Sequence, residues 1–189
     1  MSQSENASPE KPGAEKPGAE KPAAEKTGPG RKRGQTSGFD ETDRQILDLL
    51  QHHDRPVAVL AEELGMSQTP CWRRIRKLEE AGVIRGRVTL VDPEKAGVPL
   101  TVFISVTAPR HEAQWLDRFR SLIESIPEIV EAYRLTGPTD YILKAMVPDI
   151  RAYDQLYKTM IEGLEFSQIN SSISMEELKF TTAVPLNYL

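Results

Sequence analysis

Beyond Asp92-Pro93 the spacing of apolar residues switches repeatedly between two and about 3.6 residues, the repeats of strand and helix, and few architectures accommodate that alternation. Leu100, Val102, Ile104 and Val106 line one side of a strand. Trp115, Phe119, Leu122, Ile123 and Ile126 are spaced as a buried helix face that Pro127 stops. Ile129 to Thr136 and Tyr141 to Val147 read as two strands joined at Gly137-Pro138, a hairpin signal. Tyr153, Leu156, Tyr157, Met160 and Ile161 form a second helix stripe, after which Ile169, Ser171, Ile173 and Met175 alternate again. The order βαββαβ predicts an antiparallel sheet with two helices on one face, the other face being left for a partner. Phe103 and Tyr133 fall on that second face, where they either close a dimer or join the core. Ile169 to Leu178 is long for one strand, so part of it is a candidate for assembly.

Ahead of this unit lie three helical patterns. Asp40 is placed to cap the first, with Asp43 three residues on and Ile46, Leu47 and Leu50 on one face between Phe39 and Gln51. Pro56 suits the first position of a second helix whose buried side is Leu60, Ala61 and Leu64. Gly65-Met66 makes a tight turn into a third helix that begins at Ser67, and Gly82 ends it as a left-handed cap. Val83-Ile84 and Val88 to Val91 alternate like a short hairpin or wing. Three helices with a brief turn between the last two constitute a helix-turn-helix unit.

The third helix carries the chemistry. On a wheel of about 100° per residue, Ile75, Leu78 and Gly82 fall within roughly 40° of Cys71, a narrow apolar stripe. Thr69, Trp72, Arg73, Arg76 and Lys77 point away from it. Ser67 is placed to cap the free amides of the first turn, where Pro70 costs little. Such a helix fits a major groove. Gln68, Thr69, Trp72, Arg73 and Arg76 are expected to face bases, and Arg74, Lys77, Arg85 and Arg87 to contact phosphates. Trp72 packs either on its own domain or on a sugar. Cys71, beside Ile75 and Leu78, reads as a small core residue rather than a sensor.

Charge follows the same division. The net charge is only -4, but Ser67 to Leu90 sets Arg73, Arg74, Arg76, Lys77, Arg85 and Arg87 against Glu79 and Glu80, whereas Pro93 to Leu189 holds nine basic and thirteen acidic residues. A polyanion is therefore expected to engage the first domain. With 189 residues and 39% hydrophobic content the chain has material for two small folded domains. Cys71 is the single cysteine, which rules out an intrachain disulfide and a cysteine-based metal cluster and fits a reducing cytoplasm. His52, His53 and His111 lack the spacing of a metal site. No apolar run approaches the roughly 20 residues that span a bilayer, and no membrane partner is expected.

Residues 1–38 carry the pentad Glu-Lys-Pro-Gly-Ala at Glu10 to Ala14 and Glu15 to Ala19, with a variant at Glu20 to Ala24. Such a segment buries too little apolar surface to offset its ordering entropy, and a disordered tail is expected. Arg31-Lys32-Arg33 either adds weak phosphate contacts or is a solvated linker.

Taken together, these residues resemble the Lrp/AsnC family of bacterial transcriptional regulators, in particular the subset typified by the leucine-responsive protein. The resemblance runs from Phe39 to about Lys179. It rests on Asp40-Glu41-Thr42-Asp43-Arg44-Gln45-Ile46-Leu47, on Leu60-Ala61-Glu62-Glu63-Leu64-Gly65-Met66-Ser67, on Arg74-Ile75-Arg76-Lys77-Leu78-Glu79-Glu80-Ala81-Gly82-Val83-Ile84, and on Leu135-Thr136-Gly137-Pro138-Thr139-Asp140-Tyr141-Ile142-Leu143. Thr69 to Trp72 supplies the mark of the subset.

The resemblance implies an α+β chain: a disordered tail over residues 1–38, a winged helix-turn-helix domain with its linker strand over 39–92, and over 93–189 a βαββαβ ferredoxin-like αβ-sandwich, the RAM domain, that binds an effector and oligomerises. It implies a cytoplasmic, nucleoid-associated regulator of amino-acid metabolism, without cofactor, that binds a palindromic operator in double-stranded DNA as a homodimer assembling to a tetramer or octamer. An amino-acid effector is implied near Thr136, Gly137, Thr139 and Asp140, with Ser172 and Ser174 lining the pocket by analogy. Gly137 lets backbone amides approach a carboxylate, and Asp140 can accept hydrogen bonds from an ammonium. Equally, Gly137 and Asp140 suit a plain turn. Pro138 and Thr139 depart from the acidic or aromatic residues more frequent there. A ligand-independent architectural protein that bends or wraps DNA is the alternative. An enzyme is not expected, since no phosphate-cradling loop, nucleophile constellation or metal spacing is present.

Overall fold

A capping box starts the first helix. In the computed structural model, which describes residues 38–189, the Asp40 carboxylate accepts from Asp43 N–H at 2.9 Å and the Asp43 carboxylate accepts from Asp40 N–H at 3.2 Å. These bonds satisfy free amides at the start of α1 (Glu41–His52). Helix α2 (Val57–Glu63) follows, with Pro56 at its N-cap, one position earlier than the spacing suggested. The chain then turns through Gly65 at φ +61°, a backbone region open to residues without Cβ, into α3 (Gln68–Glu80). Expectations placed on residues 1–37, including the Arg31-Lys32-Arg33 arm, lie outside the described residues.

The three helices close on Ile46, Leu47, Leu60, Ala61, Cys71, Ile75 and Leu78, all buried. Each fully buried Leu or Ile contributes about 1.5–3 kcal/mol, so this small cluster is the main support of the domain. Ser67 holds the N-cap of α3 in extended conformation, but its side chain makes no capping bond; Cys71 N–H donates instead to the Ser67 carbonyl at 3.3 Å. The helix ends as expected. Gly82 N–H donates to Glu79 O at 2.9 Å and Val83 N–H to Leu78 O at 3.0 Å, the paired bonds of a Schellman turn.

The hairpin expected from Val83 to Val91 does not form, and the linker carries no strand over 83–92. Val83 and Ile84 are drawn half-buried onto the helical cluster and into the α3 cap, which removes the first strand of the hairpin. Val88, Leu90 and Val91 are left exposed.

The second domain comprises β1 (Leu100–Thr107), α4 (Ala113–Ser125), β2 (Ile129–Arg134), β3 (Tyr141–Val147), α5 (Ile150–Gly163) and β4 (Gln168–Ile173). The strands pair antiparallel in the order β2-β3-β1-β4. The period-two stripes face inward: Val102, Ile104 and Val106 lie beside Leu143, Ala145 and Val147 with no exposure. Phe119, Trp115, Leu156 and Met160 cover them from the helices. Trp115 and Phe119 stack at 5.0 Å between centroids, and Trp115 Nε1 donates to Glu165 O at 2.8 Å.

On the opposite face Phe103 and Tyr133 are exposed at 39% and 56%, which removes them from the core. There Glu131 accepts from Tyr133 Oη at 2.7 Å and from Lys144 Nζ at 3.3 Å. Strand β4 stops at Ile173 rather than continuing to Met175. The remaining chain runs without strand to the first domain, where Val184 N–H donates to Gln51 Oε1 at 2.7 Å and Leu186 packs against the helical cluster.

Candidate nucleic-acid interface and effector turn

Helical spacing sorts α3 into a buried stripe, a flank and an outer face. Cys71, Ile75 and Leu78 lie inward, and burial pushes the Cys71 thiol pKa up, away from reactivity. Gln68, Thr69, Trp72, Arg73, Arg76 and Lys77 are exposed. The Arg76 guanidinium carbon stands 5.8 Å from the Trp72 ring centroid, so the indole, half in solvent, is an outward platform with a cation across it. Arg73 and Arg85 form no ion pair among the described residues. Arg87 faces Asp54 at 3.6 Å, and Arg76 faces Glu79 at 3.4 Å, both exposed pairs of small worth that a phosphate can displace.

A groove between α3 and the following segment is lined by Trp72, Ile75, Arg76, Ile84, Arg85 and Arg87, among others. The loop that failed to become a hairpin still places Arg85 and Arg87 beside Trp72 and Arg76 of the outer face. Lys77 has a second role: its ammonium lies 3.5 Å from Asp43 Oδ2 and 5.0 Å from the Phe39 ring centroid.

Arg74 departs from its expected place. It is not on the outer face. Its Nη1 donates to both oxygens of Asp40, at 2.8 and 2.7 Å, and to Asp43 Oδ1 at 2.7 Å. These bonds, to Asp43 first and then Asp40, raise the Arg74 pKa, and the guanidinium in turn holds the Asp40 carboxyl below its usual value. The signal was present on the wheel: Arg74 lies roughly 60° from Cys71, toward the neighbouring helix.

The β2–β3 turn is built by backbone and by Asp140. Gly137 adopts φ +129°, open to glycine. Asp140 Oδ2 accepts from Ala108 N–H at 2.9 Å, while Oδ1 lies 3.9 Å from His111 Nε2. Asp140 N–H donates to Val106 O at 3.1 Å, and Leu135 N–H donates to Asp140 O at 2.8 Å. One carboxylate oxygen is therefore already committed to fastening the turn to the end of β1. Thr136 is exposed and Thr139 half-buried. His111 and the Ala108 amide belong to this corner, and sequence reasoning missed both because they come from the loop after β1.

Ser172 and Ser174 are not brought to that turn. Ser172 pairs with Phe103, and Ser174 N–H donates to Thr101 O at 2.9 Å. Both therefore sit toward the start of β1 and on the far edge of the sheet from β2, whereas Asp140 adjoins Val106 at its end. The effector set proposed by analogy is split within one chain. Among the described residues no cluster of His, Cys, Asp and Glu could hold a metal, and no helix is long and apolar enough to cross a membrane.

Two family models match these two regions: winged helix-turn-helix DNA-binding over residues 39–85 and Lrp/AsnC ligand binding domain over 101–184. The glutamate uptake regulatory protein of Zymomonas mobilis is 46% identical over 149 residues, covering 78% of this chain and 91% of that protein. The crystal structure of an AsnC family transcriptional regulator from Agrobacterium tumefaciens superposes with a TM-score of 0.77 at 48% identity, covering 80% of this chain and 99% of that one. A transcriptional regulator from Neisseria meningitidis, solved as a complex with L-Met, gives 0.76 at 33% identity, covering 79% and 98%.

Proposed function

The chain belongs to the Lrp/AsnC family of transcriptional regulators, with a helix-turn-helix DNA-binding domain and a ligand-binding domain, and from that premise we propose that it regulates genes of amino-acid metabolism in response to a small amino acid. The family comprises regulators, not enzymes. The observation that carries the reading is the outer face of α3, where Gln68, Thr69, Trp72, Arg73 and Arg76 are exposed together and Arg85, Arg87 and Lys77 flank them. The first group reads base edges; the flanking cations engage phosphates.

Residues 39–92 act as the DNA-binding unit and 93–189 as the effector and assembly unit. The unpartnered sheet face with Phe103 and Tyr133 supports a homodimer, which would present two recognition helices to a palindromic operator at multiples of about 34 Å and build further to a tetramer or octamer. The effector corner centres on Thr136, Gly137, Thr139 and Asp140, with Asp140 Oδ1 the oxygen left to receive an ammonium. Ser172 and Ser174 would join it only from another subunit. L-Met in the Neisseria regulator and the glutamate-related name of the Zymomonas protein define the first amino acids to test. The prior engagement of Asp140 by Ala108 favours a second reading, a ligand-independent architectural protein.

Genome-wide footprinting with and without L-Met, L-Glu and L-Leu tests the proposal. Discrete sites whose occupancy shifts with one amino acid are expected. Broad occupancy indifferent to all three, together with no calorimetric binding, would favour the architectural reading.

A further inference from the structure

We propose that Arg74 is a positioning residue for DNA recognition: by clamping Asp40 and Asp43 at the start of α1, it fixes the angle at which α3 presents Gln68, Thr69, Trp72, Arg73 and Arg76 to the duplex. The inference rests on the DNA-binding reading of α3 and departs from the phosphate contact that the basic sequence suggested. Three carboxylate oxygens converge on one nitrogen, Arg74 Nη1, at 2.7–2.8 Å. Asp43 is wholly buried, and its other oxygen accepts from Asp40 N–H and lies 3.5 Å from Lys77 Nζ.

A buried carboxylate tolerates little change in its partners, because each lost bond leaves charge without solvent. The clamp therefore has one preferred geometry. Apart from these ties and the longer Lys77–Asp43 contact, α3 is held by Cys71, Ile75 and Leu78, apolar contacts that resist separation but allow sliding and rotation. Directional bonds from Arg74 supply what those contacts lack. Base readout depends on such orientation, whereas phosphate attraction is tolerant of it.

The test compares an operator duplex, selected from random sequence by the full-length protein, with a scrambled duplex, across a salt series and at a temperature where far-UV CD matches the parent. Arg74→Met is expected to lower the ratio of operator to scrambled affinity by about tenfold or more with the salt slope unchanged. Arg74→Lys should restore most of the ratio, since a single nitrogen donates all three bonds and an ammonium carries three N–H donors. Asp40→Asn, which keeps a competent N-cap and removes a negative charge near the DNA face, should also lower the ratio.

If Arg74→Met does not fold, the other two variants decide. Arg74→Lys must then keep the ratio while Asp40→Asn loses it. Equal losses on both duplexes with the slope reduced by about one would make Arg74 a phosphate ligand and overturn the proposal. So would an Asp40→Asn protein that binds both duplexes more tightly at an unchanged ratio, or a folded Arg74→Met protein that behaves like the parent. Absence of salt-sensitive binding by the parent itself would overturn the DNA reading along with the clamp.

Discussion

Arg74 Nη1 lies 2.7 Å from Asp43 Oδ1, joining the third helix to a carboxylate that has no exposure to solvent. This contact links the stability of the first domain to the pose of its recognition helix. Removing one partner of a buried pair leaves the other charge uncompensated, which costs about 3–5 kcal/mol when both are buried. Arg74 is 31% exposed and Asp43 keeps Lys77 Nζ at 3.5 Å, so Arg74→Ala is expected to cost less than that range, on the order of 2 kcal/mol. Urea unfolding followed by far-UV CD measures it. A loss below about 0.5 kcal/mol would show the pair to be ordinary surface charge.

Acid should loosen the same junction. The Arg74 bond and the Asp43 amide hold the Asp40 pKa below its ordinary value of 3.8. A carboxylate whose folded pKa is depressed contributes stability that is complete above its unfolded pKa and is lost as pH falls through the folded one. Melting temperatures of the parent should therefore fall more steeply than those of Asp40→Asn as pH drops below about 4. Glu131, lowered chiefly by Tyr133 and then by Lys144, adds a loss in the same window, and it is common to both proteins. Parallel curves would contradict the assignment to Asp40.

Arg73 and Arg85 should separate base reading from phosphate attraction. Arg73→Ala is expected to remove about 1–3 kcal/mol of discrimination between operator and scrambled DNA. Arg85→Ala should weaken both alike and reduce the salt slope by about one. Fluorescence anisotropy over a salt series distinguishes them, and identical behaviour of the two variants would refute the division.

Asp140 joins a structural tie to a candidate ligand contact. Asp140→Asn keeps an oxygen for the Ala108 N–H but loses the charge an ammonium needs, so the fold should persist while the response to amino acids disappears. Calorimetric titration with L-Met, L-Glu and L-Leu reads the response. Unchanged affinity for a bound amino acid would remove Asp140 from the effector site.

Much of this architecture was legible in local pattern. The Asp40–Asp43 box, the stripe of Cys71, Ile75 and Leu78, and the βαββαβ order all follow from spacing, because helix and strand repeats sort residues before any tertiary contact forms. What stayed hidden depends on contacts distant in sequence. Arg74 finds Asp43 and Asp40 across 31 and 34 residues, and no local pattern says which acid it meets. Val83 and Ile84 have strand propensity, but the helical cluster claims them. Periodicity likewise gives strand faces without lateral order, so it could not show that β4 lies beside β1, away from the β2–β3 turn that holds Gly137 and Asp140. The outer face of α3 was readable because exposure there needs no partner at all.

The most direct measurement is the dependence of DNA affinity on salt for the full-length chain and for an Arg73→Glu, Arg76→Glu variant. The parent should bind duplex DNA with log affinity falling linearly in log salt, and the variant should lose both affinity and slope. No salt-sensitive association of the parent with any duplex, or an unchanged profile in the variant, would contradict a DNA-reading role for α3.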